Sequence, residues 1–219
     1  MIIHAAQAMG RERVALTLVD DAHPAPEQLI AAARDRSFRC DGADFYPGAR
    51  IDAPADYAAW LETVLAAVLG GGARVRRCTF AIATTPPADL VPLQRIPHFD
   101  DPDPAMIAIV HYLCDAPHRG TQFYRHRATG YETIDAARKP AWRQALVQDR
   151  LRHGLPDAGY AAGDTATFTR IGAAALRFNR LAIYPANSLH AGDIGESWSN
   201  HDPGEARLTV TSLAGVGPC

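Results

Sequence analysis

His98, Phe99 and Asp100 form a His-x-Asp triplet. In extended chain, residues i and i+2 point to one face. His98 and Asp100 can therefore offer an imidazole nitrogen and a carboxylate oxygen to one point, with Phe99 turned away. Alone, such a triplet is a frequent accident of sequence. A third donor from a distant segment would complete a set of two histidines and one carboxylate, which covers one face of a metal ion and leaves adjacent positions open. His190 suits that place. It follows an apolar run ending in Tyr184-Pro185 and lies in the polar stretch Asn187-Ser188-Leu189-His190-Ala191-Gly192, which reads as a turn. A donor set of this kind serves non-haem Fe(II), and it also accepts Zn(II), Mn(II) or Ni(II).

The elements that must position these residues are legible in outline. Val14–Val19 reads as a strand, and Pro26 opens a helix through Arg34. Apolar residues at 57, 60, 61, 64, 65 and 68 mark one face of a helix over Asp56–Leu69, stopped by Gly70-Gly71-Gly72. From there the period changes to that of strands: Val75–Thr84, Leu93–His98, the nearly continuous apolar run Met106–Cys114, Thr121–Tyr124, Thr165–Arg170, Phe178–Tyr184 and Ala206–Leu213. One amphipathic helical stretch, 134–153, interrupts them, and Pro140 inside it sets where the helix starts. Helices first, then many short strands, predict an α+β domain on a β-sandwich or barrel.

The 219 residues fit one domain, 1–219, with 1–73 as a supporting strand and helices and 74–219 as the β core. Twenty-two basic against 24 acidic residues give a net charge of −2, which prompts no nucleic-acid partner. Apolar runs fall short of a bilayer's thickness, and the N-terminus shows no secretory signal, so a cytoplasmic protein is expected. The cysteines at 40, 78, 114 and 219 form no Cys-x-x-Cys pair; Cys78 and Cys114 are expected as small buried hydrophobes.

The ordered set of motifs resembles the Fe(II)/2-oxoglutarate-dependent dioxygenases, nearest to their prolyl-hydroxylase-like branch. It runs His98-Phe99-Asp100, Tyr112-Leu113-Cys114-Asp115, Arg119-Gly120-Thr121-Gln122-Phe123, the strand ending Tyr184-Pro185, His190 and Arg207-Leu208-Thr209. The N-terminal strand, the two helices and Phe45-Tyr46-Pro47-Gly48 look like a bacterial branch of that family. The resemblance implies a double-stranded β-helix, or jelly roll of the cupin kind, with N-terminal helices and a helical insertion. It implies Fe(II) at His98, Asp100 and His190, with 2-oxoglutarate and O2 as cosubstrates. Arg207 would pair with the distal carboxylate of 2-oxoglutarate, since its planar fork matches a carboxylate as a lysine cannot. Thr209, on the same face of the expected strand, would add a hydrogen bond, and Tyr112 would contact the cosubstrate. The other reading of Arg207 is a surface residue paired with Glu205. The implied reaction is hydroxylation of an unactivated C–H bond; Asp100 stands where related halogenases carry a small residue.

The chain departs from the family pattern in places. Ninety positions separate Asp100 from His190, a long interval that the 134–153 insertion explains. Asn200–Gly204 lengthens the step from His190 to Arg207, and Arg119 replaces the first glycine of the usual pair. By strand parity His111 faces away from Tyr112 and reads as a hydrogen-bonded core residue, while His126 reads as a solvated strand end. A small-molecule, amino-acid or peptidic substrate is expected, and Arg125-His126-Arg127 leans towards an anionic one. The competing functions are a cupin-like metalloenzyme using another divalent ion without 2-oxoglutarate, and a binding domain without catalysis.

Overall fold

The apolar run at Met106 is buried on both faces because its sheet lies between a layer of helices and a second sheet. Residues 1–40 and 46–216 are described by the computed structural model; Phe45 and Cys219 lie outside the described residues. The elements are β1 (Ile2–Ile3), β2 (Gln7–Met9), β3 (Val14–Asp20), α1 (Pro26–Arg34), β4 (Gly48–Asp52), α2 (Ala55–Leu69), β5 (Ala73–Ala83), β6 (Met106–Tyr112), β7 (Thr121–His126), α3 (Lys139–His153), β8 (Phe168–Ala174), β9 (Arg180–Pro185), β10 (His190–Gly192) and β11 (Thr209–Val216). An eight-stranded antiparallel sheet has the order β1-β3-β9-β6-β11-β5-β4, with β2 added on β3; β10-β7-β8 form a second sheet. The protein is mostly β with three helices among the described residues.

Alternation along β6 sorts the layers. Ile107 and Ile109 pack with Leu29 and Ala33 of α1 and with Tyr57, Leu61, Val64 and Leu65 of α2. Ala108, Val110 and Tyr112 pack with Ala182 and Tyr184 of β9 and with Phe123 and Ala174 of the small sheet. On the other side of the small sheet, Tyr124, Phe168 and Leu189 meet Trp142 of α3. The helices thus cover one face of the large sheet, the small sheet covers the other, and α3 backs the small sheet. Gly70 ends α2 in the left-handed conformation at φ 67°, which costs a residue without Cβ little.

Several elements differ from the sequence expectation. Leu93–His98 is not a strand: Pro92 opens a 3₁₀ turn over Pro92–Arg95, and Pro97 lacks the amide a ladder needs. The helix expected over 134–153 starts at Lys139, beside Pro140. The strand expected at Thr165–Arg170 runs Phe168–Ala174, since Asp164 and Thr165 cap the preceding turn by accepting the amides of Arg170 and Phe168. The last strand begins at Thr209, so Arg207 precedes it. Met9 and Gly48–Asp52 belong to strands β2 and β4 that carry too few apolar residues to be seen by period.

Candidate metal centre

Two backbone devices bring the triplet and His190 together. His98 and His190 exchange N–H···O=C bonds of 2.9 and 2.8 Å as an isolated antiparallel bridge, and the Asp100 amide donates to Ala186 O at 2.8 Å. His98 and Asp100 therefore sit on an irregular segment pinned at both ends, not on the strand face the sequence suggested. His190 stands on β10, paired with Phe123 of β7, where a polar turn was expected. One ligand atom from each of His98, Asp100 and His190 lies within 4.8 Å of the others. Asp100 oxygens lie 3.8 Å from His98 Nε2 and 3.5 Å from His190 Nε2, and the imidazole centroids are 4.4 Å apart. Phe99 turns away and meets Trp142 of α3 edge-on at 5.5 Å, so α3 buttresses the segment that carries His98 and Asp100.

The chemistry of this donor set fits a divalent metal. His190 Nδ1 donates to Ser188 O at 3.0 Å, which leaves the Nε2 lone pair aimed at the shared point. Desolvation, then the neighbouring His190, push the His98 pKa down to about 4, with Asp100 opposing. The lowered pKa favours the neutral imidazole, which is the ligating form. Among the described residues no lysine or arginine pairs with Asp100. Its carboxylate is left to the two imidazoles and whatever they hold. Tyr184 stands edge-on to His190 at 4.9 Å and is itself fully desolvated, which drives its phenol pKa well up. Its place on the inner face of β9 could have been found by parity, since Phe178–Tyr184 was already read as a strand; its contact with a distant histidine could not.

The three residues open onto a cavity of about 360 Å³ whose wall also includes Thr121, Thr209 and Arg207. Arg207 is 5% exposed, so it is not the surface residue paired with Glu205 that the sequence also allowed. Its Nε donates to Arg119 O at 2.8 Å and its Nη2 to Gly120 O at 2.7 Å, and its guanidinium lies 5.7 Å from the Tyr112 ring centroid. Among the described residues no carboxylate faces it. Gly120 is required here, because a Cβ would come within 1.9 Å of Ala174 O. Thr209 is buried opposite Tyr112, with Oγ1 3.3 Å from Ala81 O. Tyr112 lies behind Arg207, and its hydroxyl is bonded to Thr121 Oγ1 at 2.8 Å; burial raises its pKa.

The other histidines and arginines singled out in the sequence serve the frame. His111 is fully buried between Tyr57 and Asn179, as expected of a core residue. His126 is not a solvated strand end: it is fully buried and bonded to Asp149 of α3 at 2.7 Å, because α3 folds over the end of β7. Arg125 pairs with Glu132 and Arg127 with Asp164. Cys114 is buried, whereas Cys78 is only half-buried.

Residues 2–214 match DUF6445, described as a family of unknown function. The chain belongs to that family. No curated protein matches it. Among solved structures, the DUF6445 chain is similar to HygX from Streptomyces hygroscopicus with nickel and 2-oxoglutarate bound. The TM-score is 0.51 at 10% identity, over 92% of this chain and 82% of HygX. It is similar also to the non-heme alpha ketoglutarate dependent epimerase SnoN from nogalamycin biosynthesis, with a TM-score of 0.50 at 13% identity over 92% of this chain and 77% of SnoN. These likenesses are of fold.

Proposed function

We propose that this DUF6445 chain is an Fe(II)/2-oxoglutarate-dependent oxygenase, built on a double-stranded β-helix, that hydroxylates an unactivated C–H bond of a small molecule, amino acid or peptide side chain. The observation that carries the reading is the pairing, in one cavity, of a two-histidine, one-carboxylate cluster with a buried arginine whose hydrogen-bond partners among the described residues are backbone carbonyls. Bound Fe(II) with 2-oxoglutarate supplies oxidation by O2, with release of succinate and CO2. The chain's residues do the rest. His98, Asp100 and His190 hold the metal on one face and leave adjacent positions for ligands. Arg207, pre-aimed by the Arg119 and Gly120 carbonyls, takes the distal carboxylate, and Thr209 flanks it. Tyr184 and Phe123 wall His190 off from water. The fold neighbours support this class, HygX by the nickel and 2-oxoglutarate it binds. SnoN, named an epimerase, keeps the outcome of oxidation open within the class.

A metalloenzyme using another divalent ion would employ the same three ligands, but it gives Arg207 no partner. Anaerobic titration with Fe(II) and 2-oxoglutarate tests the choice. A weak visible charge-transfer absorption is expected, lost in His98→Ala, Asp100→Ala and His190→Ala variants whose circular dichroism is unchanged. Iron binding equal to wild type in all three variants would sink the site, and metal uptake without that absorption would favour the other metalloenzyme.

A further inference from the structure

The cavity is more basic than the cosubstrate requires. Besides Arg207, its wall includes Arg77, and among the described residues its one carboxylate is Asp100. Several arginines outside the cavity are neutralised by acids, Arg125 by Glu132, Arg138 by Glu12 and Arg180 by Asp20. Arg77, exposed where Arg207 is buried, also has no acid partner among the described residues. Strand register shows where it stands. Arg77 pairs with Leu213, Thr79 with Thr211 and Ala81 with Thr209, and Arg50 pairs with Ala81 across β4. Cross-strand partners share a face, so Arg77 projects from the same inner face as Thr209. It lies four residues further along the ladder, or about 13 Å at the rise of an extended strand. That is too far to serve the same carboxylate as Arg207. Apolar side chains of Leu93, Ile96, Phe99 and Leu213 share the wall with it.

We infer that the substrate oxidised at this site is an organic anion with an apolar body, its acid group held by Arg77 and its body laid on Leu93, Ile96, Phe99 and Leu213. The inference rests on the proposed oxygenase reading. It orients the substrate: the acid end is fixed away from the metal cluster, and the reacting carbon lies towards His98. Arg125 and Arg127, which the sequence offered for an anion, are already neutralised by Glu132 and Asp164.

The probes are hexanoate, hexyl phosphate and hexanamide, which share a chain and differ in charge. They are titrated by calorimetry into protein holding Zn(II) and 2-oxoglutarate, so that no turnover is needed. One of the two anions should bind about tenfold more tightly than the amide, as a charge-assisted hydrogen bond in a half-open site gives, and the better of the two identifies the acid group. Arg77→Gln should erase the preference and leave 2-oxoglutarate affinity unchanged, while Arg77→Lys should keep part of it. Equal binding of all three probes would overturn the inference. So would a preference that survives Arg77→Gln, or one lost in Arg207→Gln alone, since the anion would then be occupying the cosubstrate's place. If wild type takes up no 2-oxoglutarate, the oxygenase reading fails, and the same titrations on metal-free protein still decide the preference of Arg77.

Discussion

Replacing Arg207 by alanine isolates the group that separates an oxygenase from other uses of the same metal cluster. The guanidinium is buried, held by two carbonyls and backed by the Tyr112 ring, so it is fixed before any ligand arrives. Truncating one partner of a buried, hydrogen-bonded charge pair costs about 2–5 kcal/mol. The dissociation constant of 2-oxoglutarate should therefore rise about 30-fold at least and several-thousand-fold at most. Iron binding should hold, because no ligand is touched. The Arg119 and Gly120 carbonyls lose their donor, at about 1–3 kcal/mol each if water does not replace it, so the melting midpoint is measured beside the affinity. Arg207→Lys should recover part of the loss, since an ammonium offers charge without a fork. Tyr112→Phe keeps the ring beneath the guanidinium and gives up only a hydroxyl already committed to Thr121; its effect should stay below about tenfold, the worth of one neutral hydrogen bond. The assay is the charge-transfer absorption at saturating Fe(II) and varied 2-oxoglutarate. An unchanged affinity in a folded Arg207→Ala protein would refute the clamp. A large loss in Tyr112→Phe would move the contact from the arginine to the phenol.

Two further outcomes are expected. His111 is fully buried, and burial holds its pKa at about 4 against 6.5 when unfolded; Asn179 opposes this and His23 adds to it. Its contribution is intact above pH 6.5 and is lost as pH falls from there through 4, about 3 kcal/mol in all. His111→Gln should weaken the acid dependence of the urea midpoint by about that amount, and equal dependence in both proteins would count against a neutral buried imidazole. Trp142→Ala should cost about 3–5 kcal/mol of stability and, by freeing Phe99, lower metal affinity, whereas Trp142→Phe should restore most of both; metal affinity unchanged in the alanine variant would show that α3 does not steady the ligand segment.

Regular elements with a strong period were readable. β6 is nearly continuously apolar because both its faces are covered, and α2 shows its packed face at 57, 61, 64 and 65. The split of His111 and Tyr112 to opposite faces followed from parity alone. What the period could not show lay where backbone bonding, not side-chain alternation, sets the conformation. Pro92 and Pro97 turn an apolar stretch into a 3₁₀ segment. Glu132 is buried because it accepts the amides of Arg11 and Glu12 across the β2–β3 turn, a link between residues more than a hundred positions apart. His126 and Asp149 find each other only when α3 folds back over β7.

The site itself follows the same division. Of the three cluster residues, only His190 stands on a strand, and that strand has three residues. His98 and Asp100 hang from it and from Ala186 by main-chain bonds that any side chains could make. Their sequence signal was therefore the residue types and their order, with no help from local pattern. The rigidity comes from outside the segment: Ser188 O sets the His190 tautomer, and Phe99 on Trp142 fixes the rotation of the residues on either side of it. An irregular carrier held by a regular frame is the usual economy of functional loops. It places donors at angles that a flat strand cannot offer, while the frame supplies the precision that ligation needs. The 134–153 stretch, which looked like an interruption of the core, supplies Trp142 to that frame and so supports the candidate metal site.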